Sequence, residues 1–184
     1  MTPTTEELSY KTNTSPLILI DSQTIQFSAD KNRSKSQAFL DLFEQLKKQG
    51  YELGISEITV AENLHGLYGK SRMASYAHLS QFIKKIISEN VLSSAAEIGG
   101  LYRDEGYQIG LIDKIIAATA FLEKGFILTN NHKDFPSPFF ESVEYFPVRF
   151  QISGKYPGTT DIVLYKMRYD LITRRIEEKV RANS

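Results

Sequence analysis

Asp21, Glu62, Asp113 and Asp134 lie far apart along the chain, yet each stands where the sequence changes character. Asp21 follows the apolar run PLILI, where an unpaired charge is costly. Glu62 lies within ITVAENLHGLYG, Asp113 opens LIDKIIAATAFLEKG, and Asp134 closes the polar stretch TNNHKD that follows GFIL. Singly, each acid has an ordinary role. Asp113 suits a helix N-cap, Glu62 sits three residues after Thr59 as in a capping box, and Asp134 suits a loop. Together they imply something else. Carboxylates drawn within a few ångströms repel, and a shared hard divalent ion with oxygen ligands relieves that repulsion. Ser22, Thr129 and Asn131 would then supply neutral hydrogen bonds to the carboxylates. Glu57 lies about 140° round a helix from Glu62 and faces elsewhere.

The elements that must position these acids follow from the apolar pattern. Residues 16–20 and 51–56 read as buried strands, 22–34 as a polar loop, and 36–50 as a helix closed by Gly50. A helix is expected over 58–69. Another is marked by Leu79, Phe82, Ile83, Ile86 and Ile87. Residues 91–93 read as a short strand, followed by a helix to about Arg103. Residues 111–125 form a helix apolar nearly all round, hence buried on several sides, and 125–129 form the next strand. Residues 142–151 and 161–166 read as two strands joined by GKYPGTT, and 168–182 as a charged terminal helix.

Strands alternating with helices imply an α/β/α sandwich with a central parallel sheet, extended by a C-terminal β-hairpin and helix. In such a sheet the working edge is the carboxyl end of the strands. Asp21 ends a strand there, and Asp134 follows one. Glu62 and Asp113 lie near the starts of crossover helices, which begin at the same edge. The organisation expected is a polar arm over 1–16, a domain over 17–140 and an extension over 141–184.

Composition narrows the function classes. Of 184 residues, 41% are hydrophobic, enough for a core, and 22 basic residues balance 22 acidic ones, so no global field favours a polyanion. There are no cysteines, which excludes disulfides, thiolate metal sites and a cysteine nucleophile. The polar start has no signal-peptide core and no stretch is long and apolar enough to span a membrane, so a cytoplasmic protein is expected. The segment GLYGKS, 66 to 71, lacks the first glycine and the preceding strand of a phosphate-binding loop.

LILIDS, ISEITVAENLHG and GLIDKIIAATAFLEKGFILTNNHKDF together resemble the PIN domain, and more narrowly its VapC branch, the toxins of prokaryotic toxin–antitoxin pairs. The match spans roughly residues 17–140. The resemblance implies a parallel sheet flanked by helices and a Mg²⁺- or Mn²⁺-dependent endoribonuclease. It places the acidic site on Asp21, Glu62, Asp113 and Asp134, with Ser22, Thr129 and Asn131 as polar helpers. It implies RNA as substrate, a homodimer, and a cognate antitoxin that covers or fills the acidic pocket. Gln23 stands where the family often has Asn or Ser, and the segments before Asp21 and after Phe135 are longer than usual. These departures keep a second reading open, a PIN-like binding or assembly module with a degenerate acidic site. An acidic-pocket phosphatase or a DNA-directed nuclease shares the same metal chemistry.

Overall fold

The computed structural model describes residues 15–182, so the expected arm lies outside it except for its last two residues. The chain runs β1 (Leu17–Ile20), α1 (Ser22–Ser28), α2 (Arg33–Lys48), β2 (Glu52–Ser56), α3 (Glu57–Leu64) and α4 (Gly69–Leu79). It continues through β3 (Ile83–Lys85), α5 (Glu89–Asp104), α6 (Leu111–Glu123) and β4 (Phe126–Thr129). A short 3₁₀ turn, His132–Asp134, leads into β5 (Phe140–Ile152), β6 (Tyr156–Met167) and α7 (Tyr169–Ala182).

The six strands form one sheet in the order β3-β2-β1-β4-β6-β5. The first four are parallel, with Leu19 beside both Gly54 of β2 and Ile127 of β4. β6 runs antiparallel to β4, with Thr129 opposite Val163, and the hairpin thereby joins the sheet rather than standing apart. The sheet is therefore mixed at one side and parallel in its centre, within the expected α/β/α sandwich.

Alternation along β1 divides the core. Ile18 and Ile20 face a cluster with Phe39, Leu42, Phe43 and Leu46 of α2. Leu17 and Leu19 face the other, with Ile98 of α5 and Ile115, Ile116 and Ala118 of α6. Strands covered on both faces read as continuous apolar runs, which is why LILI and FILT were legible. α6 is buried over Ile115–Ala120, as its all-round apolar sequence implied. Beyond β6, Ile172 of α7 is fully buried. Arg175 and Lys179 of α7 pair with Glu105 and Asp104 at the end of α5, and the Tyr169 hydroxyl donates to the Gly125 carbonyl at 2.5 Å.

Several elements differ from the sequence reading. Residues 22–34 are not a loop: α1 forms because Ile25 is buried while Ser22, Thr24 and Ser28 bury hydroxyls, which carry no apolar signal. The expected helix over 58–69 ends at Leu64, and α4 starts at Gly69. The helical spacing from Leu79 to Ile87 is accidental. Leu79 ends α4, Phe82 plugs the core, and Ile83–Lys85 is an edge strand beside Gly54–Ser56. Residues 91–93 belong to α5, whose N-cap Ser88 accepts from the Val91 N–H. The hairpin turn is tighter than expected, with Ser153 and Gly154 at positive φ, because Pro157 and Gly158 lie within β6. The Phe150 ring packs across Gly158 where a side chain would otherwise stand.

Candidate active site

β1 and β4 are neighbours, but the chain leaves β1 for β2 on one side and reaches β4 from β3 on the other. Strand order therefore reverses between them, and a crevice opens there beyond their carboxyl ends. Asp21 caps that end of β1. Its N–H bonds the Leu128 carbonyl at 3.1 Å, and its backbone serves as N-cap of α1 while its side chain makes no cap bond. The carboxylate turns instead to Thr129, whose hydroxyl donates to Asp21 Oδ2 at 2.8 Å. The same hydroxyl oxygen accepts the Asn131 N–H at 2.8 Å, so its proton is committed to Asp21.

The other acids arrive from separate elements. Glu62, on α3, accepts from the Ser22 hydroxyl. Asp134 accepts from the Asn131 side-chain amide. Asp113 stands at the third position of α6, behind its N-cap Gly110, so it is not the N-cap its sequence position suggested. Nor does the capping box at Glu62 form. Ser56 is the N-cap of α3, and the buried Thr59 hydroxyl has no partner among the described residues. Glu57 faces away, as expected, accepting the Ile87 N–H at 3.0 Å.

Asp21, Ser22, Gln23, Glu62, Asp113 and Asn131 line one cavity of about 500 Å³, closed by Gln26 and the Gly110–Ile112 backbone turn. Among the described residues no Lys, Arg or His lines it. Thr129 is buried beneath Asp21, and Asp134 stands behind Asn131 and acts on the cavity by its charge. Phe135, directly after Asp134, is fully buried and plugs the core beneath the site. Gly110 was missed by sequence reasoning. The signal lay in QIGLID, where a glycine three residues before the acid leaves room for its side chain. A Cβ at Gly110 would stand 2.9 Å from Asp113 Oδ2.

Electrostatics bind these acids into one unit. Burial is the main cause that raises the Asp21 carboxyl above its ordinary range; the bonds from Thr129 and the Ser22 N–H oppose it, and Glu62 and Asp134 add to it. Asp113 is pushed up to about 7, first by burial and then by the charges of Asp134, Asp21 and Glu62. Among the described residues no three acids or histidines are already gathered as a ligand shell. Ser22, Thr129 and Asn131 hold the carboxylates around the cavity instead. The donor set nonetheless fits a hard divalent cation, being all oxygen, of one sign and without a protein counter-charge.

A pH dependence follows. The folded-state value of Asp113 lies above its unfolded one, so the proton favours folding. That contribution is complete below the unfolded value and is lost as pH rises through about 7. Halved for its partial exposure, the loss between pH 5.5 and 8 is about 1 kcal/mol, or roughly 2–4 °C in Tm for a chain of this size. Half-buried His78, held below its usual value by desolvation, acts in the opposite sense at acid pH. Melting in EDTA across this range should therefore show the loss as a difference between wild type and Asp113→Asn, in which His78 cancels. Parallel pH profiles for the two proteins would refute the coupling.

No protein-family model matches the chain. Among characterised proteins it is similar to ribonuclease VapC19 of Mycobacterium tuberculosis, 28% identical over 95 residues, covering 52% of this chain and 76% of that one. Among solved structures it is similar to a toxin–antitoxin complex from Klebsiella pneumoniae, with 26% identity and TM-score 0.51, over 66% of this chain and 92% of that one. VapBC2 of Rickettsia felis, bound to a promoter DNA fragment, superposes with TM-score 0.55 at 22% identity, over 65% and 90% of the two chains. FitAcB of Neisseria gonorrhoeae does so with TM-score 0.52 at 24%, over 64% and 90%. The chain thus resembles the VapC branch of the PIN-domain proteins in sequence and has their fold, as its motifs led us to expect.

Proposed function

We propose that this chain is a divalent-metal-dependent endoribonuclease, the toxin of a toxin–antitoxin pair. One observation carries the reading: carboxylates from three separate elements line the crevice at the strand-order reversal, a fourth, Asp134, adds its charge, and among the described residues no cation lines it. The likeness to a VapC ribonuclease supports the RNA substrate, and the toxin–antitoxin complexes among the structural neighbours support an antitoxin partner. We extend the family resemblance to a homodimer. Among the described residues no helix is long and apolar enough to cross a membrane.

Asp21 and Asp113 would hold Mg²⁺ or Mn²⁺ directly, and Glu62 and Asp134 directly or through water. The ion, when bound, supplies positive charge for the phosphate and lowers the pKa of its water towards neutrality. The chain's own groups set the geometry. Thr129 fixes Asp21 Oδ2 and so sets the orientation of the carboxylate at the cavity. Ser22 steers Glu62, and Asn131 steers Asp134. Asp113, whose carboxyl is pushed up to about 7, holds a proton near neutral pH that a bound cation would displace. An antitoxin segment carrying a cationic side chain would compete for the same carboxylates.

The test is cleavage of a panel of single-stranded and structured RNAs by protein free of partner, in Mg²⁺, in Mn²⁺ and in EDTA. Cleavage in either ion and none in EDTA is expected. Gln23 at the cavity wall and the absence of a gathered ligand shell favour the second reading, a binding module. Absence of divalent-ion binding by calorimetry, with no cleavage, would establish that reading and overturn the first.

A further inference from the structure

Next to the acidic cavity, α5 and α6 form a second concavity of about 540 Å³ that shares Leu111 with it. Arg103, Gln108 and Lys114 supply its polar groups, Tyr107 supplies an aromatic ring, and among the described residues no carboxylate lines it. Neither Arg103 nor Lys114 forms an ion pair among the described residues. Lys114 follows Asp113 directly, and about 100° of helical rotation sends the ammonium to one side of α6 and the carboxylate to the other. Its stem lies flat across α5 at Gly99, where a Cβ would meet Cδ at 2.9 Å and Cε at 3.0 Å. Glycine is disfavoured inside a helix, and here it makes the room that Lys114 occupies. Tyr107 is 39% exposed, and its ring is set edge-on against buried Tyr102 at 6.1 Å.

We propose that this groove seats the phosphate backbone of a single-stranded RNA whose scissile bond lies over the acidic cavity. Lys114 and Arg103 take successive phosphates, and Tyr107 offers a face to a base. The assignment rests on the nuclease reading and deepens it. An acidic cavity repels a polyanion, so the strand needs fixed positive charge close by, and Arg103 and Lys114 supply it in the adjoining groove, whose lining among the described residues holds no carboxylate. Phosphate contacts and aromatic stacking are the two parts of sequence-tolerant single-strand binding.

The test is binding of a short fluorescein-labelled single-stranded RNA, read by anisotropy across a salt series, to Asp21→Asn protein so that the probe survives. Adding Lys114→Gln and Arg103→Gln should weaken binding about tenfold and reduce the salt slope by about 0.7 per lost contact. Gly99→Ala, in the same background, should weaken binding with Tm unchanged or raised, because it displaces Lys114 while improving the helix. Unchanged affinity and slope in the double variant would overturn the groove. A changed oligomeric state in that variant, with RNA binding intact, would assign the face to a protein contact and overturn it equally. Binding that depends on both side chains, with no cleavage by wild type under any ion, would keep the groove and sink the nuclease reading. No RNA binding by the parent protein would sink both.

Discussion

Asp21→Asn protein, free of any partner, is expected to cleave RNA roughly 10³-fold more slowly than wild type, equivalent to about 4 kcal/mol of lost transition-state stabilisation. The same protein should melt at a higher temperature in EDTA. Both results have one cause. Asp21 is 5% exposed at the end of a fully buried strand, and its ionised form is disfavoured there chiefly by burial. Asparagine keeps the shape and still accepts from the Thr129 hydroxyl, so the buried bond survives. What disappears is a charge whose burial opposes folding and which a bound cation would offset. Single-turnover cleavage and thermal melting of one preparation read both effects. Cleavage at the wild-type rate would remove Asp21 from the site. Lower stability in EDTA would show that its charge has a partner beyond those described.

The Gly110→Ala protein should fold normally and lose about 10- to 100-fold in cleavage. Gly110 has φ −60° and ψ 153°, which alanine adopts freely, and although alanine is the poorer N-cap the cost is only about 1 kcal/mol. The new methyl group would stand 2.9 Å from Asp113 Oδ2, closer than real contacts allow, so the carboxylate must move. A displacement of about 1 Å in a reacting constellation can lower a rate about 10²-fold. Divalent-ion affinity by calorimetry should fall with the rate. A full rate with unchanged ion affinity would mean that Asp113 points into the cavity by some other route.

Much of the site was legible in the sequence because its acids stand at the ends of strong apolar patterns. LILI before Asp21 and the apolar helix behind Asp113 each fix one carboxylate at the strand edge. Helical angle put Glu62 and Glu57 on different faces, the apolar neighbours of Glu62 favoured it for the site, and the structure gives the two different partners. What failed has physical reasons. α1 buries hydroxyls, β3 is a three-residue edge strand, and neither carries a period. Gly158 resembles a turn residue until Phe150 is seen lying across it. Gly110 has no side chain to advertise a role. Asp134 was expected at the cavity itself, yet it stands behind Asn131 and acts through its charge.

The bond from Thr129 to Asp21 joins residues 108 positions apart, with β1 lying between β2 and β4. On the ribosome, β1 and β2 can pair early, but the acidic crevice has only one wall until β4 emerges. β4 in turn exposes an open edge until β6 closes it. Contacts so distant in sequence form late in folding. A nascent chain interrupted before residue 126 therefore carries Asp21, Glu62 and Asp113 without the strand that aligns them. If the nuclease reading holds, the acidic crevice is completed only after the whole of α6 has been made.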